Sequence, residues 1–163
     1  MNNTAEPAID WFHEEALKSY IISYLKEKKY KIVTDSTTDI SVADGHIVAI
    51  SRSGRKELIE VKGYPVPLKE AAKNTVKKTD APQQARSWFS EALLTSFINF
   101  GRHSWSGKVT LALCLPKTER YHQIIKNVQA YFTANNLNLK VYLVDEDGSV
   151  EIQNLNENFL KEK

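Results

Sequence analysis

The chain has 163 residues, 42% of them hydrophobic and 26% charged, which is the balance of a soluble globular protein long enough for a real core. Its net charge of +2 provides no global basic field, so any contact with nucleic acid must come from a local patch. Cys114 stands alone, which excludes an internal disulfide and a zinc site built from cysteines.

One domain over residues 1–163 is the simplest organisation, with no internal repeat and no low-complexity tract. No apolar run is long enough to span a bilayer, and Met1-Asn2-Asn3-Thr4 does not open a signal peptide. A cytoplasmic protein without a membrane partner is therefore expected.

In chain order, Pro7 to Lys28 reads as an amphipathic helix. Leu17, Tyr20, Ile21, Tyr24 and Leu25 recur at helical spacing, and the basic run from Lys26 suits its C-terminal end. Trp11 and Phe12 read as packing residues, and Glu14 sits at the edge of the buried stripe. Lys31 to Thr34 opens a strand region. Ile40 to Ala43 reads as a short strand and Asp44-Gly45 as a turn or bulge. His46-Ile47-Val48-Ala49-Ile50 then runs to a Ser53-Gly54 turn, and Lys56 to Lys62 returns antiparallel. That fold-back sets Asp44 to His46 opposite Glu60 to Lys62.

Side chains alternate along a strand, so Leu58, Glu60 and Lys62 share one face while Ile59 and Val61 turn to the other. An acid and a base side by side gain little on a solvated edge strand. They gain much more where a divalent cation is held and a water is steered. Asp44 and His46, two residues apart, would share a face of the opposing strand.

Residues 64–82 form a long basic connection, with Lys69, Lys73, Lys77 and Lys78 set against Glu70 and Asp80. Two readings stay open for it: a solvated loop, or a segment that contacts phosphate. Gln83 to Phe100 is expected as the second helix, with Pro82 in its first turn, Gln84, Trp88 and Ala92 on one stripe, and Gly101 stopping it. Lys108 to Leu115 is a continuous apolar run suited to a strand buried on both faces, which makes Cys114 a core residue. Trp105 reads as cover for the sheet edge. Glu119 to Asn135 follows as a helix with Ile124, Ile125, Val128 and Phe132 inward, then Leu139 to Val144 as a strand. A turn at Asp147-Gly148 leads into Val150 to Ile152, and residues 154–163 form a polar tail. The fold class is α/β, with a mixed sheet flanked by helices.

This order, with Ile59-Glu60-Val61-Lys62-Gly63 closing a hairpin and Gln84-x-x-x-Trp88 opening the next helix, resembles the restriction-endonuclease-like PD-(D/E)XK nuclease superfamily over about residues 10–145. It looks like an uncharacterised microbial branch. The resemblance implies a core of αβββαβ order with an extra helix and strand. It matches Glu60 to the second acidic metal ligand, Lys62 to the catalytic lysine, Glu14 to the acidic residue on the first helix, and Gln84 to the glutamine beside the site. The position of the first aspartate carries His46. Asp44 on the same face substitutes, or Asp39 reaches in, or the metal site is incomplete.

The activity implied is hydrolysis of DNA phosphodiesters with Mg²⁺ or Mn²⁺ held by Glu60, by Asp44 or His46, and by the Val61 carbonyl. An imidazole ligand is softer than magnesium prefers and shifts preference toward manganese. Lys69, Lys73, Lys77, Lys78 and Arg86 would meet backbone phosphates. The alternative is a nuclease-like fold that binds nucleic acid or a protein partner without cutting. DNA is the expected partner, and homodimerisation is left open.

Overall fold

In the computed structural model the described residues are 12–33, 46–64, 81–102 and 104–156. They form, in order, α1 (Glu14–Glu27), β1 (Lys31–Val33), β2 (His46–Ile50), β3 (Lys56–Val61), α2 (Ala81–Arg102), β4 (Val109–Pro116), α3 (Glu119–Ala134), β5 (Leu139–Val144) and β6 (Val150–Asn154). The strands make one six-stranded sheet in sequence order. β2 runs antiparallel to both β1 and β3, β3, β4 and β5 run parallel, and β6 returns antiparallel on β5. The expected α/β class with a mixed sheet is therefore present. The parallel pairs are the two whose connections contain a helix, as a same-direction crossover requires.

The hairpin turns where the sequence indicates. Gly54 takes φ +78°, its N–H donates to the Ser51 carbonyl at 2.9 Å, and the Ser51 N–H donates to the Arg55 carbonyl at 2.9 Å. This turn fixes the register that sets His46 opposite Glu60. A slip of one residue would turn Glu60 into the apolar layer on the other face.

Two apolar layers hold the sheet. Leu17, Ile21 and Leu25 of α1 are fully buried against Ile47, Ile59, Val61, Ala112, Cys114, Tyr142 and Val144. On the opposite face Ala85, Phe89 and Ala92 of α2 and Tyr121, Ile124, Ile125 and Phe132 of α3 pack on Leu113, Leu115, Val141 and Leu143. β4 thus feeds both layers, which is why its apolar run shows no alternation. Burial pushes the Cys114 thiol far up, and the residue is core.

α2 continues through Gly101 and Arg102, where the sequence reading ends it at Phe100. Gly101 keeps a helical backbone because its φ is negative, so its missing side chain costs helix propensity without breaking the helix. The Trp105 indole stacks on Phe100 at 6.2 Å and donates to the Phe100 carbonyl at 2.9 Å, closing this end. The short strand expected at 40–43 and the basic connection lie outside the described residues, apart from its ends at 64 and 81–82. Among the described residues no helix is long and apolar enough to cross a membrane.

Candidate functional site

β3 ends beside the start of α1, and a glycine makes that approach possible. A Cβ on Gly63 would lie 2.7 Å from the Phe12 carbonyl oxygen and 3.4 Å from the Glu14 nitrogen. The next residue, Tyr64, donates its N–H to the same Phe12 carbonyl at 3.1 Å. From the other side the buried Tyr121 hydroxyl donates to the Gly63 carbonyl at 2.6 Å. The strand end is thereby clamped between α1 and α3, at the carboxyl edge of the parallel strands, where open α/β sheets place their ligands.

Alternation sends Ile59 and Val61 into the α1 layer and turns Glu60 toward α2. Glu60 is only 7% exposed, and its Oε2 is buried with no hydrogen-bond partner among the described residues. Burial, the largest cause, pushes its carboxyl from 4.5 up to about 7. The Lys62 and Lys18 charges oppose that rise, while the Glu14 and Glu91 carboxylates add to it. An uncompensated buried carboxylate is costly. A bound cation would satisfy it.

Lys62 carries the ammonium of this site. Its Nζ lies 3.2 Å from Glu91 Oε1 and 5.9 Å from the centre of the Trp88 ring, so α2 holds it from above. Opposite Glu60 in register, His46 is 2% exposed, and its Nδ1 lies 3.4 Å from the amide nitrogen of buried Asn99. In that arrangement Nδ1 accepts and the ring proton rests on Nε2. Ligation of a metal through Nε2 requires the opposite tautomer, which a half-turn of the Asn99 amide would favour by presenting oxygen to Nδ1.

Of the other residues singled out in the sequence, Glu14 stands at the start of α1, half exposed and 3.3 Å from Lys18, close enough for its charge to act on Glu60. Gln84 is half-buried one turn before Trp88 on α2. Val61 is fully buried as the last residue of β3. Arg86 is exposed and lies about 200° round α2 from Gln84, so it is not brought to Glu60. Asp39, Asp44, Lys69, Lys73, Lys77 and Lys78 lie outside the described residues.

Sequence reasoning missed Glu91, Ser96 and Asn99. Ser96 and Asn99 are buried on the inner stripe of α2, and that polar pair among Ala85, Phe89 and Ala92 was the available signal. Glu57 was missed as well. It is buried on the α1 side of the sheet, where it accepts from Tyr142 and Lys140 at 2.5 Å each and from Tyr30 at 3.1 Å. Burial and the Glu57 charge push the Tyr30 hydroxyl up to about 12. Every oxygen of Glu57 is satisfied within the chain, which marks it as structural, in contrast to Glu60.

Among the described residues no group of three His, Cys, Asp or Glu side chains clusters as a ready metal cage. Glu60 and His46, opposite one another in register, are the donors brought together at this end. The Glu60 oxygen nonetheless fits a cation: a carboxylate with raised proton affinity and no donor among the described residues gains most from a bound positive charge. No family model matches the chain, and neither a curated protein nor a solved structure matches it.

Proposed function

We propose that the chain is a metal-dependent nuclease with a restriction-endonuclease-like core of the PD-(D/E)XK kind, hydrolysing DNA phosphodiester bonds. The observation that carries this reading is the buried, unpartnered Glu60 oxygen two residues from Lys62 at the carboxyl end of β3. Glu60, Asp44 or His46, and the Val61 carbonyl would hold Mg²⁺ or Mn²⁺, which would supply a positive charge at the phosphate and a more acidic water.

The chain's own residues do the rest. Glu60, whose carboxyl burial raises to about 7, would give up its proton to hold the cation. Lys62 leaves Glu91, orients the attacking water and offsets charge growing on the phosphorus oxygens. The Glu91 contact is 61% exposed on the carboxylate side, so breaking it costs little. Gln84, one turn from Trp88, positions the phosphate or the lysine. Lys69, Lys73, Lys77 and Lys78 neutralise backbone phosphates and make binding fall with salt.

A second reading is a nuclease-like fold that binds nucleic acid or a partner without cutting it. Two observations favour it: His46 stands where a carboxylate is wanted and is engaged by Asn99, and Lys62 is engaged by Glu91. Incubating supercoiled and single-stranded DNA with Mg²⁺ or Mn²⁺ separates the two. Cleavage by the parent that disappears in both Glu60→Ala and Lys62→Ala supports the enzyme. Salt-sensitive DNA retention without cleavage under either metal supports the binder.

A further inference from the structure

α2 is the longest helix described, and its outer face turns apolar in its C-terminal half. Leu94, Phe97 and Ile98 are 59, 47 and 43% exposed and recur at the spacing of one helical stripe. Gly101 continues that stripe, and nothing lies within 4 Å of where its Cβ would stand. Phe100, 42% exposed and stacked on Trp105, borders it. Together these side chains present on the order of 400 Å² of apolar surface, comparable to the largest patch on a typical monomer (about 300–600 Å²), a feature that often marks a contact site.

We infer that this face of α2 packs on the same face of a second copy of the chain, antiparallel across a two-fold axis between Phe97 and Ile98. That axis sets Leu94 over Gly101 of the second copy, a large side chain into an open gap. It also sets Phe97 against Ile98 of the second copy. The pattern is self-complementary, as an isologous interface requires.

Charge on one flank supports the same pairing. Glu91 and Arg102 are three turns apart on the same side of the stripe. In the antiparallel arrangement Arg102 of the second copy comes within two residues of the position opposite Glu91, about 3 Å along the axis. An arginine side chain spans that offset. Glu91 holds Lys62 through Oε1, and its other carboxylate oxygen can face the arginine. Two such pairs form per dimer, one at each end of the patch. The apolar area is about half of the roughly 800 Å² per partner in a standard interface, so the dimer is weak, with dissociation in the micromolar range or above.

The test is sedimentation equilibrium as a function of concentration, on the full chain, in 50 mM and 500 mM salt. The parent is expected to rise from 18.6 kDa toward twice that mass, and less so at high salt. Glu91→Arg alone and Arg102→Glu alone each place like charges across the interface and weaken association about tenfold or more. Mixing the two single variants, or combining both changes in one chain, restores it. Leu94→Asp abolishes it. Both charged positions are exposed, and circular dichroism confirms that the variants are folded. A parent that remains monomeric at millimolar concentration overturns the inference. So does association that the single reversals leave unchanged, or that the mixture fails to restore, because the face would then be covered by something else.

Discussion

Replacing Glu60 by glutamine should stabilise this protein at neutral pH and do nothing for it at acid pH. The folded chain binds the Glu60 proton more tightly than the unfolded chain, with the carboxyl raised from 4.5 to about 7. Stability from this group is therefore complete below about pH 4.5 and is lost as pH rises through about 7. At about 1.4 kcal/mol per pH unit, that rise sets a ceiling of about 3 kcal/mol, which local water access relaxes toward about 2. Glutamine keeps the shape and never ionises. Urea unfolding of both proteins in chelator from pH 4.5 to 8 should show equal stability at the acid end. The glutamine variant should gain about 2–3 kcal/mol at pH 8, or about 5–10 °C in Tm. A difference that stays flat across this range would refute the claim that Glu60 is an uncompensated buried carboxylate.

The other predictions follow from the same contacts. Adding Mn²⁺ in hundredfold excess over its dissociation constant should stabilise the parent by about 2.7 kcal/mol at pH 7.5 and leave Glu60→Gln unmoved, as read by thermal unfolding. Gly63→Ala should cost about 1–3 kcal/mol in urea unfolding, since its new methyl would meet the backbone oxygen of Phe12 at 2.7 Å. A cost near zero would mean that α1 does not clamp the strand end. Glu57→Ala leaves the ammonium of Lys140 without its buried partner and should destabilise by about 3–5 kcal/mol, far more than any Glu60 variant. Urea unfolding of the two variants side by side gives that ranking.

What the sequence made legible was whatever repeats locally. The Ser53-Gly54 turn and the alternation of Lys56 to Val61 were sufficient to set His46 opposite Glu60 and to assign Ile59 and Val61 to the other layer. The apolar run ending at Cys114 marked a strand covered on both sides. Contacts made at long range were not legible. Glu57 meets Lys140 and Tyr142 only because β3 and β5 lie either side of β4, an order that no local pattern encodes. Lys62 finds Glu91, and His46 finds Asn99, because α2 crosses back over β3 and β2. Gly101 looked like a stop signal, yet a helical backbone suits glycine too.

The most direct measurement is a crystal of the chain soaked in Mn²⁺ and mapped by its anomalous signal. The account predicts one strong peak at the Glu60 carboxylate, completed by His46, Asp44 or the Val61 carbonyl, and absent from Glu60→Gln crystals. A map with no manganese at Glu60, or with the same peak in the glutamine variant, would contradict it.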